Sequence, residues 1–337
     1  MRVGVFGATG EVGGEIIEVL NNIKFPLEEL ICYAGKSAGK IINTPYGDKE
    51  VLKAESADYN NLDLAFWAIG AGWSKKEWEK AKESECYVVD NSSAFRYDDN
   101  IPLIVPEING MYMVMHKSKL IANPNCTTAI AAIPLNILFK MAGLNKISIS
   151  TYQSASGAGN GGRKELLEQT RNYLDGEKVE NEIFAHPLPF NVIPHIDKFQ
   201  ENKYTKEEMK TDWETRKILG LGDYVKISSG CVRVPVERSH AEDIIVETVT
   251  PINLDEYISA LEKQDMIKVS DDPLNNVYPM PISTSNNYEV EVGRIRKPII
   301  FENGVRMFVC GDQLLRGAAL NAVLIAKKLY EKGNLNS

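Results

Sequence analysis

The hydrophobic pattern changes character once along the chain. Over about the first 125 residues, short unbroken apolar runs alternate with amphipathic stretches. Residues 3–6, 30–33, 64–69, 86–89 and 120–122 read as buried strands, and residues 11–22 and 74–84 as helices between them. Strand alternating with helix predicts a parallel, doubly wound sheet. Beyond residue 146 the runs alternate apolar with polar, as in Lys146-Ile147-Ser148-Ile149-Ser150-Thr151-Tyr152-Gln153 and again over 243–249. That period of two predicts half-buried antiparallel strands. Helices are expected over 129–141, 162–173, 207–219 and 254–262, and short strands over 289–310. A strand over 231–236 carries Pro235, which suggests an edge or a bulge. Residues 184–194 hold Pro187, Pro189 and Pro194 and read as an irregular connection. Gly311-Asp312-Gln313 is expected to open a long amphipathic helix that reaches about residue 330 and returns to the first domain.

Composition narrows the function class. A chain of 337 residues suits two domains. Its net charge of −8 argues against a nucleic-acid partner and for small-molecule ligands. No apolar run reaches the ~18 residues of a membrane span, and the opening residues hold too short an apolar run for a signal peptide. Five scattered cysteines without a Cys-x-x-Cys pair argue against both a disulfide framework and a zinc site, and fit the reducing cytoplasm; no metal is expected.

Candidate chemistry then falls on the ends of predicted strands. Gly7-Ala8-Thr9-Gly10-Glu11-Val12-Gly13 lies between a strand and a helix, the context in which glycines let the backbone approach a pyrophosphate at a helix N-terminus. A plain strand-to-helix turn is the alternative. The loop after the second strand holds Lys36, Ser37 and Lys40 and no acidic residue. A cation with a hydroxyl suits a ribose 2′-phosphate, so this loop reads as NADP-binding, with a solvated basic loop as the alternative. Gly70 and Gly72 leave another strand end and should line the cofactor cleft. Arg96 is an anion-binding candidate or a surface arginine. Asn123-Pro124-Asn125-Cys126-Thr127-Thr128 joins a strand to a helix, which puts Cys126 where unpaired N–H groups and the helix dipole favour a thiolate. A buried structural cysteine is the alternative. Ser154-Ala155-Ser156-Gly157-Ala158-Gly159 is a small-residue loop that permits close backbone approach. Of the four histidines, His240 follows a strand end near Arg233 and is the general acid/base candidate.

Taken together and in order, these segments resemble the aspartate-β-semialdehyde dehydrogenase family, in its shorter bacterial branch. The resemblance rests on the glycine turn at 7–13, the Cys126 segment, Tyr152-Gln153-Ser154-Ala155-Ser156-Gly157-Ala158-Gly159, Glu214-Thr215-Arg216-Lys217-Ile218, Cys231-Val232-Arg233-Val234-Pro235 with Ser239-His240, and Gly311-Asp312-Gln313-Leu314-Leu315-Arg316-Gly317-Ala318-Ala319. It implies a Rossmann-like NADP-binding domain over 1–125, completed by a C-terminal helix within 312–337. It also implies an α+β catalytic and dimerisation domain with a mixed sheet over 126–311, and a homodimer. The implied reaction is reversible, NADPH-dependent reductive dephosphorylation of β-aspartyl phosphate to aspartate semialdehyde, in lysine, threonine, methionine and isoleucine biosynthesis. Matching positions make Cys126 the nucleophile, His240 the acid/base and Gln153 the residue that orients the intermediate. Arg233 would bind the α-carboxylate, Glu214 the α-ammonium, and Lys217 and Arg96 phosphate. Asn125 would shape the anion pocket. Gly7, Thr9, Gly10, Glu11, Val12, Lys36, Ser37, Gly70, Gly72, Ser156, Gly157 and Asn321 would meet the cofactor.

Two other readings compete. N-acetyl-γ-glutamyl-phosphate reductase shares the acyl phosphate, cysteine and NADPH, but its cysteine usually follows Pro-Gly and precedes Tyr. Here Asn125 precedes Cys126 and Thr127 follows it, and Glu214 suits a free ammonium. A non-catalytic NADP-binding paralogue would have no reason to keep Cys126, Gln153, Arg233 and His240 together.

Overall fold

A computed structural model of the chain describes residues 1–335; residues 336 and 337, the end of the expected segment 312–337, lie outside the described residues. Two compact units emerge, one formed by Met1–Asn125 with the segment from Gly317, the other by Cys126–Arg316.

In the first unit, β1 (Arg2–Phe6) leads through α1 (Glu11–Asn22) to β2 (Glu29–Ala34), the hairpin β3 (Ile41–Thr44) and β4 (Gly47–Lys53), β5 (Leu64–Trp67), α2 (Ala71–Ala81), β6 (Tyr87–Asp90), α3 (Pro106–Met115) and β7 (Leu120–Ala122). The sheet order is β3-β4-β2-β1-β5-β6-β7, parallel except for the β3–β4 pair. Val3, Val5, Leu64, Ala65 and Phe66 have no exposed surface. A strand covered on both faces needs apolar residues at successive positions, which explains the unbroken runs. α2 starts at Ala71, three residues before the expected Ser74, because Gly70 takes the N-cap with extended backbone and leaves Gly72 in the first turn. The β3–β4 hairpin has no comparable hydrophobic signal: Ile41 and Leu52 are exposed.

The second unit opens with α4 (Cys126–Ala142), followed by β8 (Leu144–Gln153), α5 (Gly159–Leu174), α6 (Lys206–Leu219), β9 (Lys226–Arg233), β10 (His240–Thr248), α7 (Leu254–Glu262), β11 (Ile267–Val269), α8 (Pro281–Thr284), β12 (Val290–Arg296) and β13 (Gly304–Gly311). Its sheet order is β11-β12-β13-β10-β8-β9. β8 alternates as expected, burying Ile147, Ile149, Thr151 and Gln153 while Ser148, Ser150 and Tyr152 face outward. It is antiparallel to β10 but parallel to β9, because α5 and α6 intervene before β9 and return the chain in the same direction. β9 is an edge strand, and Pro235 falls just beyond its end. α4 begins at Cys126 itself and is buried along most of its length.

The expected helix at Gly311 starts later. Gly311 still pairs with His240 in the β13–β10 ladder. Asp312 then accepts the N–H groups of Leu314 (2.9 Å) and Leu315 (3.1 Å), and a π-helical turn over Leu315–Ala319 precedes α9 (Leu320–Glu331). Within the first unit, α9 packs on α1 and α3. Residues 312–316 fall with the second unit, where Asp312 binds Arg238 and Gln313 binds Ser239 and Ser156. No helix among the described residues is long and apolar enough to cross a membrane.

Candidate active site

Cys126 is the first residue of α4 and is half-buried. The other four cysteines are buried, and burial pushes their thiols upward, Cys32 to about 11 and Cys86, Cys231 and Cys310 in the same direction. Thiol accessibility and a helix N-terminus therefore coincide at one cysteine only.

Sheet topology gathers the partners. Gln153 ends β8 and lies opposite Arg233, which ends the parallel strand β9. β10 runs the other way beside β8, so its first residue, His240, starts at that same end of the sheet. Arg233 is buried, its Nη1 donates to the Ser154 carbonyl, and its guanidinium stands 5.7 Å from the Phe184 ring. The irregular stretch fixes Arg233 further: Ile193 exchanges both backbone hydrogen bonds with it at 2.9 and 3.0 Å. Burial lowers the affinity of the Arg233 guanidinium for its proton, and the charges of Glu207, Cys126 and Cys231 oppose that shift. Cys126 is thus within electrostatic reach of Arg233.

His240 has no exposed surface, and its Nδ1 lies 3.1 Å from both the backbone N and the Oγ of Ser154. Burial, reinforced by Arg233 and partly offset by Glu207, lowers its pKa to about 3. The shift favours the neutral ring. Gly157 touches both groups: a Cβ there would sit 2.8 Å from Arg233 Nη1 and 3.1 Å from His240 Nε2. Only glycine leaves this space open. Gly157 and Ser156, read from sequence as cofactor contacts, thus adjoin the Arg233–His240 pair, and the Ser156 hydroxyl accepts from Gln313 Nε2 at 2.6 Å.

Sequence reasoning missed Glu207. It is buried in the first turn of α6, where Oε1 accepts from Gln153 Nε2 at 3.3 Å and Oε2 from Lys210 at 2.8 Å. Although burial opposes the Lys210 charge, Glu207 and Asp197 together raise its pKa. The available signal was helical spacing. Glu207, Thr211 and Glu214 form one buried face of α6, and Lys217 lies three residues beyond, half-buried. A pocket of about 430 Å³ opens beside Arg233, lined also by Ala158, Phe184, Ile193 and Ile196. Of the other histidines, His195 stacks on Phe199 and lines that same pocket, His116 lies by Tyr112, and His186 is exposed.

In the first unit the glycine turn has the form a dinucleotide requires. Gly7 has φ +86° and hydrogen-bonds the Tyr33 carbonyl from its backbone N–H at 2.8 Å. A Cβ on Gly13 would fall 2.1 Å from the Gly7 carbonyl oxygen. α1 begins after Gly10 without a side-chain cap, next to exposed Thr9 and half-buried Glu11 and Val12. Lys36 is exposed and Ser37 half-buried just past β2. Gly70 and Gly72 have open space where a Cβ would stand. Asp90 builds the loop to Arg96: its carboxylate accepts from Ser74 Oγ and from the N–H and hydroxyl of Ser92, and buried Arg96 donates to the Asn91 carbonyl at 2.8 Å. Asn125 is buried beside Cys126 in sequence. Asn321 was also expected to meet the cofactor, and its Oδ1 is buried without a hydrogen-bond partner among the described residues. It has no exposed surface, and its amide nitrogen bonds Ile104 O at 2.9 Å and Asn123 Oδ1 at 2.6 Å, anchoring the turn that leads to Cys126.

Comparison with known proteins agrees with this two-part arrangement. A family model described as "Semialdehyde dehydrogenase, NAD binding domain" matches residues 2–114, and one described as "Semialdehyde dehydrogenase, dimerisation domain" matches residues 135–316. Aspartate-semialdehyde dehydrogenase of Aquifex aeolicus is 41% identical, with 98% of each chain covered. That of Bacillus subtilis is 37% identical over 98% of this chain and 97% of its own. The crystal structure of aspartate semialdehyde dehydrogenase II from Vibrio cholerae complexed with ASA superposes with a TM-score of 0.94 at 38% identity, covering 98% of both chains. The cofactor class of the first unit is therefore a nicotinamide dinucleotide, and the chain belongs to the aspartate-semialdehyde dehydrogenase family.

Proposed function

We propose that this protein catalyses the NADP-dependent, reversible conversion of β-aspartyl phosphate to aspartate semialdehyde and phosphate through a thioacyl group on Cys126. The observation that carries the reading is the convergence of one accessible thiol at a helix N-terminus with a buried Arg233, a neutral His240 and Gln153 at one end of the mixed sheet. Family membership supplies the substrate. The Cys126 sulfur bonds to the acyl carbon as the carbon–oxygen bond to phosphate breaks, and sulfur serves because it is both a strong nucleophile and a good leaving group. Arg233 holds the α-carboxylate with its planar fork. Glu214, fully buried on α6, receives the α-ammonium, and Lys217 meets the departing phosphate. Gln153, held by Glu207, orients the acyl group, while His240 faces its oxygen. Bound as NADPH, the cofactor supplies hydride to the thioacyl carbon. Arg96 is retained as an anion binder of the first unit, and Asn125 as a wall of the anion pocket.

NADP is preferred in this reading because Lys36 and Ser37 follow β2, whose Tyr33 carbonyl is hydrogen-bonded to the glycine turn. Gly7, Thr9, Gly10, Glu11 and Val12 would hold the pyrophosphate, and Gly70 and Gly72 would line the cleft. The second unit would pair two copies into a homodimer, and five free cysteines suit the cytoplasm. The test is phosphate-dependent oxidation of aspartate semialdehyde, run with NADP and NAD and against the N-acetylated glutamate semialdehyde. Turnover of the free amine with NADP is expected; preference for the acetylated substrate, or no turnover of either, would contradict the reading.

A further inference from the structure

His240 ends a buried hydrogen-bond chain whose direction is fixed at both ends by backbone N–H groups, which can only donate. At the far end, the N–H of Ser239 donates to Gln313 Oε1 at 2.7 Å. The Gln313 amide is therefore oriented with Nε2 toward the Ser156 hydroxyl, to which it donates at 2.6 Å. That leaves the Ser156 proton for Ser154 Oγ, 3.2 Å away, and the Ser154 proton for His240 Nδ1 at 3.1 Å. At the near end, the backbone N–H of Ser154 also donates to His240 Nδ1 at 3.1 Å. Ser239 adopts φ +73°, an uncommon conformation for serine, and this aims its N–H at Gln313. All five side chains are buried.

We propose that Gln313, Ser156 and Ser154 are positioning residues that lock His240 as the Nε2–H tautomer, so that His240 presents a hydrogen-bond donor to the reacting oxygen. A neutral imidazole whose Nδ1 accepts two hydrogen bonds carries its proton on Nε2. His240 Nε2 is buried and has no hydrogen-bond partner among the described residues. It faces the space that Gly157 leaves open next to Arg233 Nη1. An imidazolium would set an Nδ1–H against the Ser154 N–H. The charged groups acting on the ring are Arg233, which opposes protonation, and Glu207, which favours it.

At the reacting oxygen the chemistry needs no more than a donor, and here the inference rests on the proposed reaction. Thiolate attack on an acyl phosphate expels phosphate and leaves a thioester. Hydride addition to that thioester, from the reduced nicotinamide, gives a thiohemiacetal oxyanion. Its collapse forms the aldehyde carbonyl, breaks the carbon–sulfur bond and returns Cys126 as thiolate. Atoms and charge balance with one proton taken up by the departing phosphate, which would otherwise leave as a trianion; the thiohemiacetal oxygen itself gains and loses none. A preorganised donor 2.7–3.1 Å from the oxyanion, of the type worth about 10²–10³-fold in kcat, is the fitting catalyst.

Nitrogen-15 NMR of histidine-labelled full-length protein tests this, since only four histidines contribute and a His240→Asn sample assigns the relevant one. The expected result is an unprotonated Nδ1 and a protonated Nε2 on His240, unchanged across about pH 5–8. Gln313→Glu replaces the donor with an acceptor, so it should mix the two tautomers and lower kcat by about 10-fold or more with a much smaller change in KM. Gln313→Met serves as a second variant with the same expectation. A protonated Nδ1 in the wild type, titration of the ring near its ordinary value of about 6.5, or folded Gln313 variants with unaltered tautomer and kcat would overturn the proposal. Absence of any dehydrogenase activity would refute the assigned reaction instead, leaving the tautomer result to stand by itself.

Discussion

At the residue scale, the site is legible where chemistry forces a rare residue into a marked place. Cys126 could be singled out because Pro124 and Asn125 break the chain just before a helix, and His240 because it follows a strand near Arg233. The groups that orient them were not legible. Glu207, Ser154 and Gln313 are ordinary polar residues, 54, 86 and 157 positions along the chain from Gln153, His240 and Ser156 respectively. Helical spacing puts Glu207 on one face with Glu214, but no spacing points to its contact with Gln153 or to those of Ser154 and Gln313. Asn321 was expected to meet the cofactor, and no spacing showed that its amide nitrogen also bonds Ile104 and Asn123 inside the fold. Arg233→Leu should lower kcat/KM for aspartate semialdehyde by about 100-fold, the loss of charge-assisted hydrogen bonds worth about 1.5–3 kcal/mol. Steady-state kinetics checks this, and unaltered kcat/KM would remove Arg233 from the substrate.

At the element scale, strands buried on both faces and the alternating β8 could be located from pattern alone, because burial dictates every position or every second position. Elements held by other means could not. The β3–β4 hairpin exposes Ile41 and Leu52 and buries only Val51 fully, and the 184–194 stretch has no period because its job is done by Phe184, Leu188 and Ile193, which pack with Ala155 and Leu166 beneath Arg233. The start of the last helix was set too early, since Gly311 completes a strand and Asp312 supplies a cap. The glycine turn makes a sharper prediction. Gly13→Ala must displace the Gly7 carbonyl, which a Cβ would approach to 2.1 Å. Overpacking of this kind costs about 1–3 kcal/mol. A lowered melting temperature together with a raised KM for NADPH is expected, and a variant indistinguishable from wild type in both would contradict the close packing of α1 on the turn.

At the scale of the whole molecule, a two-part arrangement was legible from the change in hydrophobic period beyond residue 146, while the register and order of the second sheet depend on long-range pairing that no local window contains. Stability should also carry the imprint of the buried site. His240 has a folded pKa of about 3 against an unfolded value of about 6.5, so its neutral form favours folding above that unfolded value, and the contribution drains away as pH falls through the interval. Glu242, fully buried with neither carboxylate oxygen partnered among the described residues, is pushed upward by burial and acts in the opposite sense. Its contribution is present below its unfolded pKa and is lost as pH rises. Melting temperatures recorded from pH 7 to 5 should fall more steeply for wild type than for His240→Asn, and parallel curves would deny His240 its buried neutral state. The central claim, however, is covalent. Intact-protein mass spectrometry after mixing the full chain with aspartate semialdehyde and oxidised NADP, phosphate withheld, should find one aspartyl group per chain, borne on Cys126 and missing from Cys126→Ala. An adduct on another residue, or undiminished turnover by Cys126→Ala, would contradict the account.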